Sequence, residues 1–519
     1  MSGFRAPVGD ILYTLDACGA DTLPDWDAEL VAQIAESFAA FAEAEIAPIN
    51  ASGDTQGARL ENGRVRMPDG FRAVFDRYRA DGWSGLTAPE THGGQGLGAV
   101  ALAVTSEIFS GANHSLQMVT GLVPGAIRVL MEFGTEAQCA ALIPPLAEGR
   151  WISTMCLTEP GAGSDLARIR CRAERDGEGW RISGEKIFIS GGDQDLSEGI
   201  FHLVLARTGD ADSGVKGLSL FACLSDRADG TRNSVTVTRI EEKMGLHASP
   251  TCQMVFDGAE AQLIGAEGQG LRAMFTMMNH ARIDVALQGV AHAARAHAIA
   301  ASYCAERVQG RGADGAPVTL DRHSDVRHML DGMQARALLG RAIAHTAIIT
   351  LERGDDPDLV EFLTPIAKHF GSEIGTEAAD LGIQCLGGYG YLSEYGIEQI
   401  WRDARICRIY EGANGIHALT LAGRLMRGPA VDRFAAFLDR NLTCSGTRAA
   451  WDAACAVLRN TADPAPLARD FMELSTLALC RSLASRFEGH EGQAAIASYL
   501  EDRAGMAGLI AARMARRGQ

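Results

Sequence analysis

One carboxylate of the chain stands where it could remove a proton from carbon. Residues 406–416 read Ile-Cys-Arg-Ile-Tyr-Glu-Gly-Ala-Asn-Gly-Ile and place Glu411 at the start of a glycine-bearing turn that follows a helix-like stretch. Tyr410 and Ile416 could keep this carboxylate partly out of water, which would raise its proton affinity towards that needed to remove a weakly acidic C–H proton. We therefore interpret Glu411 as a general base. A glutamate in a loop is more commonly a solvated surface charge, so this interpretation needs support from elsewhere in the chain.

A second polar segment lies earlier in the sequence. Residues 155–165 read Met-Cys-Leu-Thr-Glu-Pro-Gly-Ala-Gly-Ser-Asp and are followed at 184–192 by Gly-Glu-Lys-Ile-Phe-Ile-Ser-Gly-Gly. The proline and two glycines of the first stretch favour an irregular backbone between two runs of β character. Its free N–H groups and the hydroxyls of Thr158 and Ser164 can hydrogen-bond a ring edge and a pyrophosphate, while the missing side chains let such a ligand approach. Seen in isolation, the segment is also typical of an ordinary turn.

Length and charge restrict the function classes. A chain of 519 residues is too long for one compact core, so we expect about two to four domains. The formal net charge is −17, from 65 acidic and 48 basic residues, which argues against a nucleic-acid partner. A phosphate-bearing ligand must therefore be held by a few placed cations and backbone N–H groups.

Cysteine and histidine spacing gives no sign of a metal site. The twelve cysteines include no C-x-x-C pair, so neither a zinc site nor a disulfide framework is indicated. The pairs His292/His297 and His323/His328 are five positions apart, off the shared helix face that ligands four apart occupy. We predict no bound metal and a reducing, cytoplasmic location.

Targeting and membrane signals are not evident. The first ten residues contain no basic segment followed by an apolar run, and no 18-residue stretch is both charge-free and strongly apolar. We predict neither an export signal nor an integral membrane segment.

The N-terminal part of the chain has helical periodicity. Within residues 26–50, the apolar side chains Leu30, Ile34, Phe38 and Phe41 have the spacing of an amphipathic helix, and further helical segments follow to about residue 148. A loop interrupts them and contains Gly-Gln-Gly-Leu-Gly-Ala at 94–99, a formal match to a dinucleotide fingerprint. We reject that match because no buried strand precedes it, and we interpret it as a tight surface turn.

The periodicity changes at residue 151 and changes back after about 260. Runs rich in Val, Leu, Ile and Phe alternate with turn residues, which predicts an antiparallel β domain. A helical stripe of apolar residues, including Met329 and Met333, then returns and is typical of core packing. The prediction is a mainly α protein with a central β domain, divided at 1–150, 151–260, 261–428 and a helical extension at 429–519.

Five motifs in this order and spacing, over roughly residues 80–425, resemble those of the acyl-CoA dehydrogenase family. They include the two segments above, Glu-Lys-Met-Gly-Leu-His-Ala-Ser at 242–249, Glu-Arg-Val-Gln-Gly-Arg at 306–311 and the segment containing Glu411. The resemblance implies an N-terminal helical domain, a middle β-barrel and a C-terminal helical bundle, here with extra C-terminal helices.

The resemblance implies FAD as the cofactor. Phe188 corresponds to the family's aromatic residue beside the isoalloxazine and Ser190 to the residue that hydrogen-bonds N5, where the family more often has Trp and Thr. The other residues to which the resemblance gives FAD contacts are Met155, Leu157, Thr158, Gly163, Ser164, Arg307, Gln384, Gly387, Gly388, Ala413 and Gly415.

Part of this FAD site is shared between subunits in the family. Arg307 matches the arginine that reaches the FAD pyrophosphate of a neighbouring subunit, and the glycine turn at 384–391 also meets that FAD. Gly310 stands where the family pattern has a phenylalanine, the residue that gives the family its aromatic contact to adenine. A homodimer or homotetramer is implied.

An acyl-CoA substrate is implied as well. The matching contact residues are Ser164, Ser249, Asn279, Arg282 and Gly412, with Asn279 standing where several relatives have Asp. Within the family, the segments Gly-Leu-His-Ala-Ser-Pro-Thr-Cys at 245–252 and Arg-Val-Gln-Gly-Arg at 307–311 look most like the branch containing 3-methylmercaptopropionyl-CoA dehydrogenase. This implies 3-methylmercaptopropionyl-CoA or a short- or medium-chain acyl-CoA as substrate.

The implied reaction is α,β-dehydrogenation to a trans-2-enoyl-CoA, in which Glu411 takes the α-proton and the β-hydride passes to the flavin. An electron-transferring flavoprotein is the implied acceptor of the electrons. Two alternatives stay open: an acyl-CoA oxidase, distinguished by its peroxide yield, and a catalytically silent flavin- or CoA-binding scaffold, which the intact Glu411 argues against.

Overall fold

A computed structural model of the chain describes residues 3–518. Along the sequence, a first group of helices is followed by a block of strands and then by a second group of helices. The helices that precede the block are α1 Val8–Ala17, α2 Ala28–Phe41, α3 Asn50–Gln56, α4 Phe71–Ala80, α5 Ala99–Thr120, α6 Val123–Phe133 and α7 Glu136–Ala147. Those that follow are α8 Gly270–Glu306, α9 Ser324–Arg353, α10 Pro357–Leu386, α11 Ile397–Ala404, α12 Asn414–Ala422, α13 Ala430–Asn441, α14 Ser445–Asn460, α15 Ala468–Leu483, α16 Gln493–Glu501 and α17 Met506–Arg517.

The strands form one large sheet and two short hairpins. The hairpins are β1 Arg59–Glu61 with β2 Arg64–Arg66, and β10 Val308–Arg311 with β11 Pro317–Thr319. The large sheet contains β3 Trp151–Cys156, β4 Arg172–Asp176, β5 Gly179–Ser190, β6 Gly199–Arg207, β7 Leu218–Leu224, β8 Val235–Ile240 and β9 Thr251–Ile264. This order confirms the predicted fold class: helices, a central β domain, helices and additional C-terminal helices.

The large sheet closes on itself. Strands β6, β4, β5, β9 and β7 pair in that order, and β7 pairs back with β6 to complete a barrel. The prediction of a purely antiparallel domain is wrong at β6, whose pairings with β3 and β4 are parallel. The long connection between β3 and β6 returns the chain to the same end of the sheet, which parallel pairing requires. An apolar cluster that includes Trp180, Phe221 and Phe256 fills the barrel.

Helix α2 shows where the sequence pattern holds and where it fails. Asp27 accepts a hydrogen bond from the Leu30 amide at 2.9 Å and caps the helix. Ile34, Phe38 and Phe41 are buried as predicted, whereas Leu30 is 40% exposed. Val31 is buried in place of Leu30, so the buried face begins one residue later than the spacing indicates.

The described residues divide into two compact units. The first contains residues 3–43, 103–111 and 282–518, and the second contains residues 44–102 and 112–281. The four-segment division at residues 150, 260 and 428 stays a proposal. Among the described residues, no single helix has the length and apolar composition to cross a membrane, although the bent pair α5 and α6 passes that test when taken together.

Close packing of α8 against α10 in the first unit determines the positions of Arg282 and Lys368. A Cβ on Gly289 of α8 would lie 1.9 Å from the Gly371 carbonyl oxygen of α10, and a Cβ on Gly375 would lie 2.8 Å from the Gly289 carbonyl oxygen. Only glycine allows the two backbones to approach this closely. The approach fixes α8, which carries Arg282, against α10, which carries Lys368.

Candidate active site

Glu411 lies in a short connection of the first unit between a 3-10 turn at Arg405–Arg408 and α12. Its φ angle is +53°, in the left-handed region that non-glycine residues seldom adopt, and Gly412 follows with a φ of +94°. Strained backbone at a polar residue is typical of functional sites, because the surrounding structure must hold it in place.

Three side chains hold the carbonyl groups of this turn. The Nε2 atom of His417 lies 3.1 Å from the Glu411 carbonyl oxygen, and Arg282 Nε donates to the same oxygen over a longer 3.4 Å. Lys368 Nζ donates to the Gly412 carbonyl oxygen at 2.7 Å. Burial lowers the pKa of His417 to about 3, so the ring is neutral and its contact to a carbonyl requires the Nε2–H tautomer.

The carboxyl group of Glu411 sits in surroundings that favour proton uptake. Burial raises its pKa to about 7, although Arg282 and Lys368 act in the opposite direction. Its Oε2 atom is buried and has no hydrogen-bond partner among residues 3–518. Ile416, which the sequence suggests as a cover, is 39% exposed. The direction of the shift agrees with the prediction made from the sequence.

Tyr410 links the segment that carries Glu411 to α8 through hydrogen bonds. Its hydroxyl donates to Gln288 Oε1, and Gln288 Nε2 donates to Asp284 Oδ2 at 2.9 Å. Asp284 in turn raises the pKa of Glu411. The residue before the candidate base is therefore anchored to the helix that carries Arg282.

The loop at 157–165 in the second unit is fixed by a buried ion pair. Lys186 Nζ donates to Glu159 Oε1 at 2.9 Å and to the Leu157 carbonyl oxygen at 2.9 Å. The Ile187 amide donates to the Thr158 carbonyl oxygen at 2.9 Å, which places the loop beside β5. A Cβ on Gly161 or Gly163 would meet no atom within 4 Å, so the glycine edge of the loop is open.

Phe188 is displayed beside this loop in an unusual way. It has a φ of +57° within β5, at an irregularity in the β5–β9 register, and it is 61% exposed. A bulky aromatic residue in the left-handed region is strained. Ser190, two residues later, is half-buried. The second unit therefore presents an aromatic face and hydroxyl groups next to an open glycine loop.

The remaining predicted residues of the first unit are mostly exposed. Arg307 lies 5.6 Å from the ring centre of Tyr389 and has no ion-pair partner within residues 3–518. Gln384, Gly387 and Gly388 are exposed at the end of α10, and Gly387 has a φ of +61°. Ala413 is the N-cap of α12, and Gly415 is exposed in its first turn.

The predicted substrate residues differ in accessibility. Ser164 and Asn279 are exposed, whereas Ser249 is 2% exposed, so its side chain offers little surface to a ligand. Met155 and Thr158 are half-buried and Leu157 is buried. Of the predicted substrate contacts, Arg282 and Gly412 lie with the candidate base in the first unit.

Comparison with known proteins identifies the family. Models of the acyl-CoA dehydrogenase N-terminal, middle and C-terminal domains match residues 29–150, 154–259 and 268–426. The chain is 42% identical to 3-methylmercaptopropionyl-CoA dehydrogenase of Ruegeria pomeroyi over 446 residues, 81% of this chain and 76% of that protein. The chain belongs to the acyl-CoA dehydrogenase family.

Two further similarities extend this result. The broad-specificity linear acyl-CoA dehydrogenase FadE5 of Mycobacterium tuberculosis is 33% identical, over 80% of this chain and 74% of that protein. The solved structure of butyryl-CoA dehydrogenase from Megasphaera elsdenii is 25% identical and superposes with a TM-score of 0.67, covering 77% of this chain and 98% of that one. The protein is thus an oxidoreductase that dehydrogenates acyl-CoA, and it belongs to a family of flavoproteins.

The residues present fit a flavin nucleotide. An open glycine edge and an exposed, strained Phe188 suit the approach of a planar ring in the second unit. In the first unit, Arg307 supplies an exposed cation with no ion-pair partner within the described ranges, as an anionic group requires. The donor types therefore agree with those expected for a phosphate-bearing aromatic cofactor.

Two residues around the base have no spacing signal in the sequence. Lys368 lies within the largely apolar stretch Pro-Ile-Ala-Lys-His-Phe of α10, and His417 lies in α12. A lone cation in an apolar helical run is the one feature that singles out Lys368 before the structure is known. His417 has no comparable feature.

Proposed function

We propose that the protein catalyses FAD-dependent α,β-dehydrogenation of an acyl-CoA thioester to the trans-2-enoyl-CoA, with Glu411 as the base. The observation that carries this proposal is the Glu411 carboxyl group, whose pKa is raised to about 7 and whose Oε2 atom is buried without a hydrogen-bond partner in the described part of the chain. A base of this proton affinity is suited to catalysis near neutral pH.

FAD would be held by Phe188, Ser190 and the loop at 155–164 of one subunit, and by Arg307 and residues 384–388 of a neighbour. When bound, it would supply the acceptor for the hydride from the substrate β-carbon. The residues of the chain itself provide the proton acceptor, the position of that acceptor and the charges around it.

The proton is transferred to a group whose place is fixed in advance. Glu411 removes the α-proton, and the contacts of His417 and Lys368 to the Glu411 and Gly412 carbonyl groups prevent the turn from relaxing. Arg282 and Lys368 favour the ionised form of the base before the transfer. Because burial disfavours the charged form of the carboxyl group, uptake of the proton removes an unfavourable charge from the site.

The pH profile of the wild-type enzyme tests this arrangement. Since the base must be ionised and its pKa is about 7, we expect kcat/KM to fall about tenfold per pH unit below about pH 7. The measurement is initial rate against pH with an artificial electron acceptor. A profile that stays flat down to about pH 5 would contradict a base with a raised pKa, because an ordinary glutamate titrates near pH 4.3.

For the substrate, we propose 3-methylmercaptopropionyl-CoA or an unbranched short- or medium-chain acyl-CoA. The proposal is supported by the relatives above, whose names specify 3-methylmercaptopropionyl-CoA in one case and linear acyl-CoA in another. A thioether sulfur is close in size to a methylene group and only weakly polar. A hydrophobic pocket therefore distinguishes the two substrates poorly.

We expect both 3-methylmercaptopropionyl-CoA and its alkyl analogue pentanoyl-CoA to turn over. Their values of kcat/KM should differ by no more than about 200-fold. A panel that also includes long-chain and branched acyl-CoAs provides the measurement. Specificity constants that peak at long or branched chains, with both of these substrates inert, would overturn the substrate assignment.

We further propose an electron-transferring flavoprotein as the electron acceptor, a homodimer or homotetramer as the assembly, and the cytoplasm as the location. The shared FAD site supports the assembly, because one chain would lack part of it. Mass determination in solution tests it, and a monomer that retains FAD would contradict it.

A further inference from the structure

Lys368 is a fully buried cation without a paired carboxylate. Its Nζ atom donates to the Gly412 carbonyl oxygen at 2.7 Å and to Asn414 Oδ1 at 2.9 Å. No carboxylate lies within 4.0 Å of Nζ in residues 3–518. The other fully buried lysine of the described chain, Lys186, forms an ion pair with Glu159 at 2.9 Å, which compensates its buried charge. A charge buried without such a partner destabilises a fold, so Lys368 calls for a functional explanation.

Its two acceptors both belong to the connection that carries the base. Gly412 directly follows Glu411, and Asn414 opens α12. Asn414 is itself fixed by bonds from its Nδ2 atom to Glu373 Oε1 at 2.7 Å and to Ser372 Oγ at 3.0 Å. The ammonium group therefore connects the rigid α10 helix to the strained turn at φ +53° and +94°.

We propose that Lys368 is a positioning residue, whose ammonium group holds Glu411 in its left-handed conformation through the Gly412 carbonyl group. The inference rests on the proposed function, since it takes Glu411 as the base. It assigns the role to the ammonium group and not to the bulk of the side chain.

Charge and position make separate contributions. Burial lowers the pKa of Lys368 to about 8, although Cys407 and Glu411 act in the opposite direction. Burial raises the pKa of Glu411, and the charges of Arg282 and Lys368 act against that rise. The cation therefore acts on Glu411 below about pH 8 and loses its effect above it. The titratable and charged groups that face this pair from the surrounding elements are Arg282 and Asp284 of α8, His369 and Glu373 of α10, Cys407, Arg408 and Tyr410 of the preceding turn, and His417 of α12.

The test compares Lys368→Met, which keeps an unbranched side chain as far as the ε position and removes the ammonium group with its charge, with Lys368→Arg, which keeps the charge. Purified holoenzymes are assayed for the pH dependence of kcat/KM with 3-methylmercaptopropionyl-CoA, together with FAD content and far-UV circular dichroism. Thr364→Val is the matched control, because Thr364 is a buried polar residue one turn earlier on α10 whose hydroxyl bonds only the Val360 carbonyl in the described chain.

For Lys368→Met we expect a wild-type FAD-to-protein ratio, a loss of about tenfold or more in kcat/KM at pH 7, and an acidic limb moved to higher pH by about one unit or more. Removing a nearby cation raises the pKa of the carboxyl group, so the shift must be upward. For Lys368→Arg we expect the limb at its wild-type position with a lower kcat, because the longer guanidinium displaces the turn. Thr364→Val should match the wild type in both quantities.

A Lys368→Met enzyme with wild-type rate and limb overturns the inference, and so does a Lys368→Arg limb that moves as far as the Met limb. If Lys368→Met yields no folded protein, Lys368→Arg decides through the same two quantities, with unchanged kcat and a moved limb contradicting the proposal. Glu411→Gln separates this outcome from failure of the proposed function. If Glu411→Gln is inactive and Lys368→Met has the wild-type rate and pH profile, only the role of Lys368 is overturned. If Glu411→Gln is active, the assignment of Glu411 as the base is overturned as well.

Discussion

Glu411→Gln is expected to lower turnover by roughly 100- to 10,000-fold while FAD and acyl-CoA remain bound. The amide has nearly the same shape as the carboxyl group but cannot accept the α-proton. Steady-state turnover, FAD content and acyl-CoA binding to the purified variant are the three measurements. Loss of turnover with both ligands retained assigns the role to the chemistry of the group and not to the fold.

Glu377→Gln is the control for this substitution. Glu377 is an exposed glutamate on α10 that pairs with Arg336 at 2.9 Å, and we expect its variant to keep wild-type turnover. Undiminished turnover in Glu411→Gln would place the base elsewhere. The raised pKa of Glu411 would then belong to a buried carboxyl group without a role in proton transfer.

Arg307→Ala is expected to weaken FAD retention roughly 10- to 100-fold, the loss of charge-assisted hydrogen bonds to a pyrophosphate. Arg307 is exposed, follows α8 directly and has no ion-pair partner among residues 3–518, so its charge is available to a ligand. The FAD-to-protein ratio after extensive dialysis measures the effect, and the mass in solution shows whether assembly is affected.

Arg311→Ala provides a matched comparison. Arg311 lies on the exposed hairpin that begins directly after Arg307, and it donates from Nη1 to the Gly315 carbonyl oxygen at 2.8 Å, a local contact within the turn. We expect it to retain FAD as the wild type does. Equal FAD loss in both variants would point to damage of the hairpin, and equal retention would show that Arg307 does not serve the cofactor.

The order of helices and strands is predictable from the sequence because each of these elements has its own local hydrophobic periodicity. The strands of the large sheet begin at Trp151, where the sequence predicts the change, and helices resume after Ile264, whereas the two short hairpins at residues 59–66 and 308–319 have no counterpart in the prediction. Closure of the barrel depends on the pairings of β4 with β6 and of β7 with β9, which join strands that are not consecutive in the chain and which no local pattern encodes. The parallel pairing of β3 with β6 is non-local for the same reason.

In the candidate active site, too, features that are local in the sequence are predictable and those that depend on non-local packing are not. Glu411 is identifiable because the glycine after it and the motif around it are contiguous in the chain. Lys368 and Arg282 reach the same turn only through the close packing of α8 against α10, which depends on single glycines such as Gly289. The left-handed conformation of Glu411 is likewise set by these distant contacts, since a glutamate by itself does not favour it.

The exposure of Ser249 and of Ile416 is set by packing that their motifs do not encode. A motif fixes a position along the chain but not the exposure of its side chain. Ser249, a candidate CoA contact, is nearly fully buried, and Ile416, a candidate cover for the base, is largely exposed. Both depend on how neighbouring segments pack, which residue type alone does not determine.

The most direct test of the central claim is anaerobic mixing of the purified, FAD-loaded enzyme with 3-methylmercaptopropionyl-CoA or pentanoyl-CoA, followed through the yellow absorbance of the flavin. We expect rapid bleaching in the wild type, with formation of the 2-enoyl-CoA, and a flavin that stays yellow in Glu411→Gln over the same time. Bleaching at the wild-type rate in Glu411→Gln, or no bleaching of the wild type by any acyl-CoA of a panel, would contradict it.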